Sequence, residues 1–164
     1  MKKNLWVFNI DNTLANTNEK IQERVEGFGT KLYPFPLPSG FFEDNPDVFL
    51  GAAPFIGSAE ALRRLEEAGS KVVYVTTRSP WFRNLTEHWL RLNGFPQGQV
   101  ICTFNKRAIV LKMKPFAFVD DSPHEIDSIK DLVENIYVPA KPYNNGYPNR
   151  FETWSMFPLV GAAI

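Results

Sequence analysis

Leu5-Trp6-Val7-Phe8-Asn9-Ile10-Asp11-Asn12-Thr13-Leu14 is the stretch on which the fold turns. Four apolar residues of strand length run without warning into polar and acidic ones. A buried strand that ends this way presents those side chains at the carboxyl edge of a sheet, where open α/β folds bind ligands. Positions 9 and 11 lie two apart, so in extended backbone their side chains project to the same side. Position 11 is a carboxylate and position 9 an amide.

Working outward, further runs of strand length are Lys71–Val75, Gln99–Thr103, Phe116–Val119 and Asn135–Val138. Helical patterns separate them. Ser58 is a candidate cap for a helix with Ala61, Leu62, Leu65 and Ala68 on its apolar side and Gly69 as its stop. Glu60 with Arg64 and Arg63 with Glu67 add i,i+4 pairs. The next helix carries Phe82, Leu85, Trp89 and Leu92 on one face and ends at Gly94. A third starts at Ser122-Pro123-His124-Glu125, a capping box with proline at the first helical position, and buries Ile126, Ile129 and Val133. Strands alternating with helices predict an α/β fold, a doubly wound, mainly parallel, Rossmann-like sheet.

The bulk numbers agree. At 164 residues the chain fits a single domain, 1–164, with a core that needs no disulfide or metal staple. Lys plus Arg is 18 and Asp plus Glu is 18, and no basic stripe stands out, which argues against long nucleic acid as a partner. A small anionic substrate needs only local charge. One cysteine, Cys102, suits a reducing cytoplasm and reads as a buried, inert thiol. The apolar stretch after Met1-Lys2-Lys3 is too short for a signal-peptide core, and the tail from Pro158 to Ile164 is too short to span a bilayer, so no membrane is expected.

Residues 26–55 break the rhythm with prolines, glycines and interleaved aromatics: Phe28, Tyr33, Phe35, Phe41, Phe42, Phe49 and Phe55. A long connection beside a sheet's active edge usually serves binding, so a small cap or lid is expected over about 15–55. The charges of residues 26–55 are Glu26, Glu43, Asp44, Asp47 and Lys31, no clamp for a second phosphate. The 139–150 loop, rich in Pro, Asn, Gly and Tyr, has no evident role from its sequence.

Three other strand ends carry reactive groups. Thr76-Thr77-Arg78 offers hydroxyls and backbone N–H groups to an oxyanion. Asn105-Lys106-Arg107 brings an ammonium, with Lys112 and Lys114 as competing lysines. Asp120-Asp121-Ser122 sets two carboxylates side by side, which repel each other without a cation. Hard oxygen ligands with room for water suit Mg²⁺. A cation, a lysine and a hydroxyl converging on one anion suit phosphoryl transfer. His124 and His88 read as exposed helix residues.

In this order the four elements resemble the haloacid dehalogenase superfamily of phosphohydrolases, over residues 4 to about 135. Its Asp-x-Asp-x-Thr element is matched by Asn9-Ile10-Asp11-Asn12-Thr13 except at its first position. Thr76, Lys106 and Asp120-Asp121 match the remaining three motifs. A narrower similarity is to the 5′(3′)-deoxyribonucleotidase branch, on Pro54-Phe55-Ile56-Gly57-Ser58-Ala59, Trp89-Leu90 and Lys106. Thr76-Thr77-Arg78 looks closer to bacterial acid phosphatases of the same superfamily. The resemblance implies a nucleophile at position 9, acid–base work by Asp11, and phosphoryl oxygens held by Thr76 and Lys106, with Thr13, Thr77 and Arg78 beside them. It implies Mg²⁺ on position 9, the Asp11 backbone carbonyl, Asp120 and Asp121. A nucleoside 5′-monophosphate, stacked on Phe41 and Phe42, is the expected substrate, and a sugar or polyol phosphate the alternative.

Asn9 breaks that pattern. An amide is a very poor nucleophile, so an aspartyl-phosphate cannot form normally. One explanation is a deliberate Asp-to-Asn substitution in an active phosphatase; the other is a natural protein that binds a phosphorylated ligand without turnover. Retention of Asp11, Thr13, Thr76, Lys106 and the acid pair favours the first.

Overall fold

The computed structural model describes residues 3–29 and 33–158; Lys31 and the apolar tail beyond Pro158 lie outside the described residues. Five expected strands form: β1 (Leu5–Phe8), β2 (Lys71–Thr76), β3 (Val100–Cys102), β4 (Ala117–Val119) and β5 (Asn135–Pro139). A short sixth, β6 (Arg150–Phe151), joins the edge. The order is β3-β2-β1-β4-β5-β6, and every pair is parallel. The chain therefore has the predicted α/β architecture.

Alternation along β1 divides the core. Trp6 and Phe8 pack on one face with Val72, Tyr74 and Val119, whereas Val7 packs on the other with Val73, Val75 and Phe118. Trp6, Val7 and Phe8 are all fully buried, as expected of a central parallel strand covered on both sides. Helix α4 (Ser58–Glu67) and helix α5 (Arg83–Leu92) cover the first face through Leu62, Leu65 and Trp89. Helix α6 (Lys106–Met113) and helix α7 (Pro123–Ile129) cover the second through Val110 and Ile129. Strand order reverses between β1 and β4, and the crevice at such a reversal is where doubly wound sheets bind ligands.

Local chemistry explains the departures from expectation. Ser58 lies inside α4 rather than capping it: Gly57, at φ 84°, is the cap, and the Ser58 hydroxyl donates to Phe55 O at 2.7 Å. Arg63 donates to Gly94 O at 2.6 Å instead of reaching Glu67. Leu92 is exposed, and Leu90 takes the inward place; α5 starts at Arg83, directly after a 3₁₀ segment over Pro80–Phe82. Helix α6 escapes the apolar pattern because Ile109-Val110-Leu111 reads as strand; its Asn105 cap, accepting from Ala108 N at 3.0 Å, decides for helix. Cys102 is half-buried against the core rather than fully enclosed. Ser122 caps α7 as expected, and His88 and His124 are exposed.

Segment 15–55 carries three short helices: α1 (Thr17–Gln22), α2 (Phe41–Asp44) and α3 (Asp47–Gly51). They share a small cluster of their own around Ile21, Phe41 and Val48. Among the described residues, no helix is long and apolar enough to cross a membrane.

Candidate active site

After β1 the backbone folds back sharply, with Leu14 N and Ala15 N both donating to Ile10 O. Asn12 sits at φ 62°, a left-handed conformation that asparagine tolerates better than most residues. This turn leaves Asn9 facing the sheet edge and Asp11 facing segment 15–55.

Lys106 Nζ donates to Asn9 Oδ1 at 3.0 Å and to Asp120 Oδ2 at 2.7 Å. A lysine can only donate, so the Asn9 amide is oriented by its neighbour: oxygen toward Lys106, nitrogen away. Its Nδ2 lies 2.9 Å from Asp11 O, 3.0 Å from Asp121 Oδ1 and 3.2 Å from Thr13 Oγ1. Thr13 Oγ1 itself donates to Asp121 Oδ1 at 3.0 Å. Lys106 is 2% exposed, so its charge has been taken out of water and lives on its pairing with Asp120. Lys112 and Lys114 are exposed toward the other end of α6.

Asp120 and Asp121 are both buried, but they face different ways. Asp120 turns to Lys106 and accepts from Ser122 N at 3.0 Å. Asp121 is the one that faces position 9. Burial, and then the neighbouring charge of Asp120, push its carboxyl well above the usual range, against the pull of Tyr143, Lys141 and Thr13.

Asp11 turns its carboxylate to Arg78, whose Nε reaches Oδ2 at 2.9 Å and whose Nη2 reaches Oδ1 at 2.7 Å. Thr17 donates to Oδ1 at 2.6 Å. Burial alone would raise this carboxyl, yet the charge and hydrogen bonds of Arg78, aided by Thr17 and Lys106, hold it below the ordinary carboxylate value. Arg78 also donates to Thr86 at 3.0 Å, and its guanidinium lies 3.9 Å from the Phe49 ring centre. Thr86 carried no recognisable pattern in the sequence. The Thr76 hydroxyl is fully buried and accepts from Arg78 N at 3.1 Å, while Thr77 is exposed and lines a pocket.

That pocket, of about 400 Å³, lies between the sheet edge and segment 15–55. Asp11, Thr77 and Arg78 form its polar floor, and Phe28, Phe35, Phe42, Phe49 and Phe104 form its walls. Phe42 stacks on Phe49 at 4.5 Å between ring centres. Phe41 packs within segment 15–55 instead of lining the pocket. A larger open groove of about 930 Å³, beside Phe55, Ile56 and Trp154, touches none of these polar groups, so the smaller pocket is the chemically equipped one.

The oxygens around Asn9 Nδ2 allow a test for a hard cation. Asp11 O, Asp121 Oδ1 and Thr13 Oγ1 converge on one point, where the Asp121 carboxylate supplies charge, that of Asp120 being paired with Lys106. This donor set fits Mg²⁺. With asparagine at position 9 an N–H group fills the convergence, and the amide has to turn and release Lys106 before offering Oδ1.

No protein-family model matches the chain. It is 26% identical over 101 residues to a Bacillus cereus protein named "Putative nucleotidase", covering 58% of this chain and 53% of that one. It is 25% identical over 121 residues to a protein of the same description from Oceanobacillus iheyensis, covering 71% of this chain and 61% of that one. The chain thus spans between half and two thirds of the curated relatives it matches. Among solved structures it is similar to the class C acid phosphatase from Bacillus anthracis, with a TM-score of 0.62 and 17% identity, covering 88% of this chain and 69% of that one. It is similar to L-2-haloacid dehalogenase from Xanthobacter autotrophicus, with a TM-score of 0.58 and 13% identity, covering 85% and 78%. CbbY from Rhodobacter sphaeroides, solved with phosphate, gives a TM-score of 0.60 at 16% identity, covering 98% and 99%. These likenesses establish a haloacid-dehalogenase-like fold.

Proposed function

We propose that this site is built for Mg²⁺-dependent hydrolysis of a small phosphomonoester, a nucleoside 5′-monophosphate first, and that Asn9 holds it in a non-hydrolysing form. The observation that carries this reading is the convergence of position 9, Lys106, Asp120 and Asp121 at the β1–β4 reversal, next to an aromatic-walled pocket. The names of the curated relatives support the nucleotide part.

With a carboxylate at position 9, one of its oxygens attacks phosphorus while the bond to the leaving oxygen breaks, giving an acyl phosphate on the chain. Arg78 holds Asp11 ionised, so the acid step requires substrate to draw Arg78 away and the carboxyl to take up a proton from solvent. Asp11 then hands that proton to the leaving oxygen and later takes one from the water that attacks the acyl phosphate. Lys106 steadies the phosphoryl oxygens, and the Thr77 hydroxyl and Arg78 border the leaving group. Asp121, the Asp11 carbonyl and position 9, with Asp120 behind them, would hold Mg²⁺, which would supply neutralisation of phosphoryl charge. The aromatic walls suit a flat leaving group, since base–aromatic stacking is worth ~1–3 kcal/mol per base.

Asn9→Asp is the test. The variant should release phosphate from an aryl phosphate and from deoxynucleoside monophosphates with Mg²⁺, on the order of a thousandfold faster than the parent chain, the scale of regaining a nucleophile. Inertness across a broad panel of phosphomonoesters overturns the enzyme reading. A preference for glycerol or hexose phosphates over every nucleotide overturns the nucleotide assignment. Non-catalytic binding of a phosphorylated ligand is the second reading. One observation favours it: both ends of the Asn9 amide are satisfied within the site.

A further inference from the structure

The 139–150 loop reaches back into the site. Tyr143 Oη donates to Asp121 Oδ2, the oxygen opposite the one that faces Asn9 and Thr13. Its neighbour Asn144 is fully buried and donates from Nδ2 to Asp121 O and to Pro139 O, both at 2.9 Å. Asn144 Oδ1 accepts from Lys141 N at 2.8 Å, closing the loop on itself. A connecting loop rarely buries an asparagine completely, and here the cost is offset by satisfying all four bonds, the fourth from Arg150 Nε to Oδ1 at 3.2 Å, which fixes where Tyr143 stands. From the other side, Tyr33 of segment 15–55 stacks on Tyr143, with ring centres 4.8 Å apart and planes 26° apart.

We infer that Tyr143 is a positioning residue that aims the Asp121 carboxylate at the cation point beside position 9, and that Tyr33, stacked on its ring, secures it. The inference rests on the proposed metal site. With one oxygen of Asp121 tied to Tyr143, the carboxylate cannot spin, and the other oxygen stays on the convergence point. Tyr33 itself lines the pocket, so one ring borders both the pocket and the Tyr143 side chain.

Calorimetric titration of Mg²⁺ into the Asn9→Asp protein and its derivatives tests this without reference to turnover. Adding Tyr143→Phe, which keeps the ring and the stack, should weaken Mg²⁺ binding by 10-fold or more, the usual cost of losing a partner that orients a metal ligand, roughly 10–100-fold. Tyr33→Leu should weaken it severalfold, while Tyr33→Phe should restore the parent value. Melting temperatures in EDTA should stay level across the set, which separates orientation from general stability. Equal Mg²⁺ affinity in the Asn9→Asp protein with and without Tyr143→Phe overturns the inference and leaves the metal site standing. Equal affinity for Tyr33→Leu overturns the part assigned to Tyr33. Absence of Mg²⁺ binding by the Asn9→Asp protein itself overturns both the metal site and this inference.

Discussion

Arg78 grips both carboxylate oxygens of Asp11, at 2.9 and 2.7 Å, from a position 67 residues further along the chain. The guanidinium is shielded, with its side chain 1% exposed, whereas that of Asp11 is 23% exposed on the pocket floor. The acid–base candidate is therefore pinned to the turn that follows β2, and the Phe49 ring of segment 15–55 covers the guanidinium that holds it.

Removing Arg78 should be costly. Arg78→Met leaves a largely buried carboxylate without its partner and should lower stability by about 3 kcal/mol, as measured by urea unfolding. Asp11→Asn combined with Arg78→Met should recover part of that loss. Because the folded-state pKa of Asp11 is depressed, its share of stability is present above the ordinary carboxylate pKa and lost as pH falls through the lower, folded-state value. The parent chain should lose stability across that acid window, and the double variant should lose less. Identical acid profiles for the two would show that the pair contributes nothing.

Lys106 and Lys112 separate in the same assay. Lys106→Met strands the fully buried Asp120 and should lower stability on the order of 3 kcal/mol. Lys112→Met changes an exposed side chain and should stay within about 0.5 kcal/mol of the parent. A neutral Lys106→Met would show that the Asp120 charge is compensated elsewhere.

Mg²⁺ should raise the melting temperature of the Asn9→Asp protein by mass action on the native state. Asp121→Asn in that background should abolish the rise. Asp127→Asn should preserve it, because Asp127 is exposed and engaged with Tyr147 and Lys130. Equal rises in all three proteins would remove Asp121 from the metal site.

Gly98 marks a close approach that affects the fold alone. A methyl group there would lie 2.5 Å from Val72 O, a backbone atom that cannot swing aside. Gly98→Ala should cost about 1–3 kcal/mol by overpacking, while Gly29→Ala, with open space around it, should be tolerated. Chemical denaturation of the two variants checks the contrast.

Much of this could be read in the chain because buried parallel strands announce themselves as unbroken apolar runs. Leu5–Phe8, residues 72–75 and Ala117–Val119 are of that kind, and each runs into side chains that meet at the sheet edge. Lys106 was legible by its distance from a strand end, although its competition with Lys112 needed the helix to be seen. The partners that orient the site were not legible. Thr86, Tyr143 and Asn144 carry no spacing or period that ties them to Asp11 or Asp121, since those contacts depend on how α5 and the 139–150 loop pack. The division of labour between Asp120 and Asp121 was equally hidden, because adjacent residues leaving a strand point in opposite directions and only the neighbours say which way.

The central place of β1 bears on how the molecule is made. Trp6 pairs with Val72 on one side and with Ala117 on the other, both reached only after long stretches of intervening chain. During synthesis from the amino terminus, Leu5–Phe8 therefore waits, apolar and unpaired, until β2 and then β4 have emerged. Contacts so distant in sequence make for slow assembly and a period of exposed hydrophobic surface. The groups at Asn9 and Asp11 come together only once that wait is over, so truncation before Ala117–Val119 should leave a nascent chain that is prone to aggregate and has no site at all.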